Sequence, residues 1–222
     1  MAREADSASA RAHLVAALVR AGDIRSGAVR EAFLRVPREE FVRPEDRRDA
    51  YADTPLPIGE GQTISAPSMV AIMLEEASLR RGERVLEIGT GSGYHAALLA
   101  CLVGPENVTS IERVARLAAW GRLNLERTGF AAVTVVTGDG SLGLPERAPY
   151  DCILGTAGAP RLPAAWGAQL AVDGRIVAPV GDSRYTQVLL VARRRPDGTL
   201  DVRRGTPCAF VPLIGEQAWP GD

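Results

Sequence analysis

The amino-acid sequence predicts a doubly wound α/β fold: a mostly parallel sheet, antiparallel strands at its C-terminal end and a helical N-terminal extension. Three observations carry this expectation. From residue 85 onward short apolar runs alternate with helical stretches, the pattern of parallel strands joined by crossover helices. The first run leads straight into Gly89-Thr-Gly-Ser-Gly93, a strand-to-helix turn stripped of side chains. From Gln187 the alternation gives way to two runs around Pro196-Asp197-Gly198, which has hairpin character.

Taken in order, the first helix has Leu14, Val15, Leu18 and Val19 at helical spacing and stops at Gly22. Ser26 is placed to cap a second, with Val29, Phe33 and Val36 on one face before Pro37. Residues 44–66, rich in Pro, Gly, Asp and Thr, read as an ordered loop. Pro67 suits the first turn of a helix running to Ala77, with Met69, Ile72, Met73 and Glu76 to one side. Expected strands are Val85–Ile88, Val108–Ile111, Val133–Val136, Cys152–Leu154 and Ile176–Val177. Expected helices between them are Ala96–Val103, Val114–Arg127 and Pro163–Leu170. The end of the chain reads as strands at Gln187–Arg193, Leu200–Arg203 and Ala209–Ile214. The 222 residues form one domain on this reading, with an extension over 1–80, a cofactor-binding core over 81–185 and antiparallel strands over 186–222.

Composition removes several classes of function. A net charge of −1 gives no general basic footprint for nucleic acid or an anionic membrane. All 26 basic residues are arginines, so a lysine Schiff base and a phosphate-loop lysine are excluded. Cys101, Cys152 and Cys208 stand far apart without metal-ligand or redox spacing, so no metal site is expected and the thiols read as core residues of a reducing compartment. The apolar run at the N-terminus is too short for a secretory signal, and a cytoplasmic monomer is expected.

In open α/β sheets ligands bind beyond the carboxyl ends of the strands. Three consecutive strand ends carry suggestive residues: Glu87 with the glycine loop, Glu112, and Asp139-Gly140. Glu112 stands where an acidic residue bonds ribose hydroxyls, and Asp139 can accept from an adenine amine. Singly, these are also explained as a structural turn, a helix-start charge and a turn residue. Together and in this order they favour a nucleoside site. Glycines spaced G-x-G-x-G depart from the dinucleotide fingerprint, and Glu87 would repel a pyrophosphate. S-adenosyl-L-methionine, with ribose, adenine, a cationic end and no phosphate, suits this loop, with S-adenosyl-L-homocysteine as its product.

Further blocks are more particular: Val36-Pro-Arg-Glu-Glu-Phe-Val42, Leu56-Pro-Ile-Gly59, Gly61-Gln-Thr-Ile-Ser-Ala-Pro67, Ala148-Pro-Tyr-Asp151, Leu170 through Gly174, and Phe210-Val-Pro-Leu213. With the glycine loop and Gly138-Asp-Gly140 they make the chain resemble the protein-L-isoaspartate O-methyltransferase family over most of its length. The resemblance implies a Rossmann-like fold and methylation of the free α-carboxylate of L-isoaspartyl residues in damaged proteins and peptides, which starts repair through a succinimide. It implies cofactor contacts at Gln62, Thr63, Ile64, Ser65, Glu87, Gly89, Thr90, Gly91, Gly93, His95, Glu112, Asp139, Gly140 and Thr156. Ser65 falls at the family's essential serine, and substrate contacts fall at Ser65, Ala66, Ala157, Val211, Pro212 and Leu213.

The chemistry is consistent with the residues. A carboxylate of pKa about 3.5 is already ionised, so no strong base is needed, and the chain has only His13, expected on the surface, and His95. Ser65 reads either as an orienting donor or as the cap of the helix at Pro67. Small residues at Thr156-Ala-Gly-Ala159 are expected to leave room for a peptide. Three alternatives remain open: methylation of a normal aspartate in a dedicated peptide, an NAD-dependent oxidoreductase, and a non-catalytic nucleoside-binding protein.

Overall fold

A computed structural model describes residues 2–183 and 186–221. The N-terminal helices are α1 (Ala2–Ala21) and α2 (Gly27–Arg35), followed by a small hairpin of β1 (Leu56–Gly59) and β2 (Gln62–Ile64). Next come α3 (Pro67–Ala77), β3 (Val85–Ile88), α4 (Tyr94–Val103), β4 (Val108–Glu112), α5 (Ala115–Arg127) and β5 (Thr134–Thr137). The chain ends with β6 (Tyr150–Gly155), α6 (Ala164–Gln169), β7 (Leu170–Ser183), β8 (Thr186–Arg194) and β9 (Leu200–Cys208). The main sheet has the order β5-β4-β3-β6-β7-β8-β9, parallel from β5 to β7 and antiparallel from β7 to β9. This is the doubly wound α/β fold that the alternation of runs and helices implies, with its order reversing beside β3.

Strand periodicity of two explains how the sheet separates its two layers. On β3, Val85 packs into the layer holding α2, α3 and α4, whereas Leu86 and Ile88 face the other layer, where Trp166 of α6 sits fully buried. The N-terminal helices serve the first of these layers. Leu14, Val15, Leu18, Val29 and Phe33 join the core beside α4, and Phe33 and Phe41 set their rings edge-on to Tyr94 at 6.3 and 5.7 Å. Ser26 caps α2 as its position requires, accepting from Val29 N. His13 is exposed.

Several local expectations change. Residues 44–66 are not all loop: a 3-10 turn (Pro44–Asp49) and the β1–β2 hairpin lie within them. Val19 is exposed at 42%. On α3 the buried set is Val70, Ala71, Met73, Leu74, Glu75 and Ala77, turned from the Met69, Ile72, Glu76 side. That face is otherwise apolar, and its one carboxylate, Glu75, is satisfied by Arg25 N, Ser26 N and Ser26 Oγ, from which one oxygen accepts at 2.8–2.9 Å. Ala209–Ile214 is no strand; it makes only isolated bridges outside the sheet, Gly158↔Pro212 to the loop after β6 and Ile214↔Trp219 to the C-terminal tail. Pro212 lacks the N–H that a ladder would need. Residue 185, the expected limit of the core region, lies outside the described residues. Cys152 is buried, Cys101 and Cys208 are half-buried, and all three are free thiols. No helix among the described residues is long and apolar enough to cross a membrane.

Candidate active site

The strand ends β3, β4 and β6, the β1–β2 hairpin and the C-terminal segment enclose three adjoining cavities. The first, about 640 Å³ up to its mouth, is lined by Gln62, Thr63, Gly89, Gly91, Glu112, Gly140, Thr156, Ala157 and Val211–Leu213, together with Ile58, Ile88, Ile111, Arg113, Val114 and Ile214. The second, about 420 Å³, holds Thr63, Ile64, Ser65, Gly89, Thr90, Gly91, His95 and Thr156. The third, about 630 Å³, holds Thr63, Ser65, Ala66, Thr156 and Ala209–Val211. None of their lining residues comes from α1 or α2.

Why the loop after β3 must be glycine is visible at Gly89. Its φ is +103°, and an added Cβ would stand 2.3 Å from Thr156 Oγ1, which itself reaches the carbonyls of Ile88 and Gly89 at 2.9 Å. The turn is thereby pinned to the end of β6. Gly93 plays a different part. Its missing Cβ admits Gly121 O and Leu125 of α5, so it serves packing and does not line the cavities.

Glu112 ends β4 with 8% exposure at the wall of the first cavity. One oxygen accepts from Gly91 N at 3.0 Å and the other from Val114 N at 2.9 Å. An ionised carboxylate has about four acceptor positions, so two remain for a diol. Ile88 and Ile111 add apolar patches to a wall that also carries Gln62, Thr63, Arg113 and Thr156. Sequence alone does not mark these isoleucines, because a strand-end isoleucine has the same pattern whether it faces core or ligand.

Glu87 does not reach a cavity. It is fully buried, and register places it beside Ser110, whose hydroxyl donates to it and lies 2.6 Å from Thr90 Oγ1. Its other oxygen lies 3.1 Å from His95 Nδ1. A carboxylate only accepts, which puts a proton on Nδ1. Nε2 of His95 is then left buried without a partner, in a side chain that lines the second cavity. The acidic residue expected against the cationic end of the cofactor thus touches no cavity itself and contacts His95, which does.

Asp139 also stands back from the cavity walls, although Gly140 lines the first. Its carboxylate accepts from Ser141 N, Ser141 Oγ and, from the C-terminal tail, Glu216 N at 2.7–2.9 Å. Burial works to raise its pKa and is outweighed by the Glu216 and Ser141 hydrogen bonds, leaving it below the ordinary carboxylate value. The tail is strapped further by Gln217 N to Ser141 Oγ at 3.0 Å and by Trp219 Nε1 to Gly158 O at 3.1 Å. Nothing local in the sequence signals this tail.

Ser65 lines the second and third cavities. Helix α3 has Ala66 at its N-cap with no side-chain cap bond, so the capping alternative for Ser65 falls away. The room expected at Gly158 is filled: Gln187 comes within 2.8 Å of where a Cβ would be, and Val211 and Leu213 bond its backbone at 2.8 Å. Ala157 alone of that run with Thr156 faces the first cavity.

The residues fit S-adenosylmethionine. A cradle closed to any Cβ at Gly89, a carboxylate at Glu112 with spare acceptor positions, apolar patches in the wall and an orphaned His95 Nε2 match backbone approach, ribose, adenine and an amino-acid end. Among the described residues there is no group of three or more His, Cys, Asp or Glu set to hold a metal ion.

Comparison with known proteins agrees. The profile of protein-L-isoaspartate(D-aspartate) O-methyltransferase (PCMT) matches residues 9–218. Protein-L-isoaspartate O-methyltransferases of Hyperthermus butylicus and Methanopyrus kandleri are each 54% identical to this chain over 95% of it and over 90% and 93% of their own lengths. A solved protein-L-isoaspartate O-methyltransferase superposes with a TM-score of 0.82 at 33% identity, over 94% of this chain and 67% of its own. The corresponding figures for a structure from Plasmodium falciparum, described as a putative member in complex with S-adenosyl-L-homocysteine, are 0.80, 28%, 91% and 97%. The chain belongs to the protein-L-isoaspartate O-methyltransferase family.

Proposed function

We propose that this protein transfers a methyl group from S-adenosyl-L-methionine to the free α-carboxylate of L-isoaspartyl residues in proteins and peptides, as the first step of their repair. The observation that carries the reading is the meeting of a nucleoside cavity with a second and third cavity at Ser65 and Thr156, in a chain of this family. When bound, the cofactor supplies a methyl group on a sulfonium. The chain's part is positioning. Glu112 and the Gly89–Gly91 backbone take the ribose side, Gly140 and Ile111 the base, and His95 Nε2 the amino-acid end. The Ser65 hydroxyl, free of capping duty, orients the incoming carboxylate, with Ala66, Ala157 and Val211–Leu213 beside it.

No general base is needed, because the acceptor is ionised at neutral pH. Sulfonium and carboxylate lose their charges together, so a dry, fixed geometry accelerates transfer more than water does. The working protein on this reading is a cytoplasmic monomer.

Labelled S-adenosylmethionine offered with matched isoaspartyl and aspartyl peptides tests it. Base-labile methyl ester is expected on the isoaspartyl peptide alone. Label on both peptides or neither sinks the proposal, and label on aspartate alone would indicate the dedicated-peptide activity. In the same assay Ser65→Ala is expected to lower kcat by about 10²-fold, the scale for one orienting donor in a transition state. Its affinity for S-adenosylhomocysteine stays within about threefold of wild type, because Ser65 is only one of the implied cofactor contacts and Glu112, Gly140 and His95 are left in place.

A further inference from the structure

Behind the strip that carries Ser65 lies an arginine that the site so far leaves unused. Arg38, from the Val36–Val42 block, has no solvent exposure. Its Nε donates to Ala50 O and its Nη2 to Ser65 O, both at 2.8 Å. Its guanidinium carbon lies 4.9 Å from the centre of the Tyr94 ring, and Nη1 is buried with no partner.

Arg38 is in none of the ion pairs among the described residues. The nearby phenols do not neutralise it, since burial pushes Tyr94 up to about 12 and raises Tyr51 as well. Asp53 acts on it through space, but that carboxylate is exposed and engaged by Ser68 N. A guanidinium does not shed its proton at neutral pH, so a positive charge is held out of water against two carbonyls and Tyr94, with no carboxylate in contact. Retaining such a charge is costly unless an anion comes to it. The reaction brings one. Among the described residues the two cavities that meet at Ser65 have no arginine in their walls, so none of those residues sets a cation in contact with the acceptor carboxylate.

We infer that Arg38 is the positioning residue that makes the Ser65 strip receptive to a carboxylate. Its Nη2 holds the Ser65 carbonyl on the side away from solvent, and its uncompensated charge sets a positive potential at the Ser65 hydroxyl. The inference rests on the methyl-acceptor reading above. One charge acting across a few bonds of low-dielectric protein is worth about tenfold in affinity for an anion.

The test compares an isoaspartyl peptide with its α-carboxamide analogue, both bound to enzyme saturated with S-adenosylhomocysteine. In the wild type the acid is expected to bind about tenfold more tightly than the amide. In Arg38→Met the ratio is expected to fall to near one, with KM for the acid raised about tenfold and S-adenosylhomocysteine affinity within about threefold. Removing an unpaired buried charge also removes its desolvation cost, which favours a folded variant. Arg38→Lys keeps the charge without the fork and should keep most of the ratio. Equal ratios in wild type and Arg38→Met, or a collapsed ratio in Arg38→Lys, overturn the inference. If the methionine variant does not fold, a wild-type ratio near one still overturns it. An enzyme inert towards isoaspartyl peptide refutes the function itself, whereas unchanged ratios in an active enzyme refute only the role of Arg38.

Discussion

Glu112→Ala is expected to cost about 10²–10³-fold in affinity for S-adenosylhomocysteine, measured by titration calorimetry. The size follows from what the carboxylate does at one point. It has two free acceptor positions at the cavity wall, and a hydrogen bond to a charged group contributes about 1.5–3 kcal/mol. At the lower end of that range two such bonds give about 3–4 kcal/mol, or two to three decades. The side chain also accepts from Gly91 N and Val114 N, so its loss frees the glycine loop that must press against the ligand. Glu112→Gln separates the two roles. Its amide offers one acceptor oxygen, keeps one of those two backbone bonds, and should fall between wild type and alanine. A change of less than about threefold for Glu112→Ala would show that the ribose lies elsewhere.

The parts of this protein that can be read in its sequence are those whose signal is local. A strand, a glycine turn and a helix start occupy consecutive residues at 85–103, so periodicity and glycine content reveal them together. Ser26 as a cap is legible for the same reason. Where sequence and structure part, a partner distant in the chain is involved. Hydropathy turns α3 towards Met69 and Ile72, because it cannot know that Glu75 will receive three donors from residues 25 and 26. Glu87 reads as a cavity carboxylate until strand pairing sets Ser110 beside it and α4 brings His95 over it. Arg38, between Pro37 and Glu39, carries no local mark of burial, yet Ala50 O and Ser65 O hold it fully buried. Phe210–Leu213 stands out as a block, and its local character suggests a strand. Only the pairing of Gly158 with Val211 and Leu213 turns it across the strand ends.

Asp139→Ala is expected to weaken S-adenosylhomocysteine binding by about 10–100-fold and, at the same time, to loosen residues 215–219. The two effects share one side chain. Three of the four acceptor positions of its carboxylate are filled by Ser141 and Glu216, and the bond expected of the fourth is to the amine of an adenine that lies against Gly140 and reaches back from the cavity to Asp139. Gly215 passes so close that a Cβ there would stand 2.1 Å from Asp139 Oδ1, so the tail is fitted to this carboxylate. Backbone hydrogen exchange at 215–219 should rise several-fold in the variant. The pH dependence has a definite sign. The folded-state pKa lies below the ordinary carboxylate value, so the tether is complete above about pH 4 and is lost as pH falls through the folded value. Faster exchange in the variant should therefore be evident at about pH 7 and vanish in acid. With the adenine on the carboxylate that holds the tail, saturating S-adenosylhomocysteine is expected to slow exchange of the tail in the wild type and to do so less in Asp139→Ala. Weaker binding with unchanged exchange would leave Asp139 an adenine ligand alone. Faster exchange with unchanged affinity would make it a structural tether, and the adenine would need another acceptor.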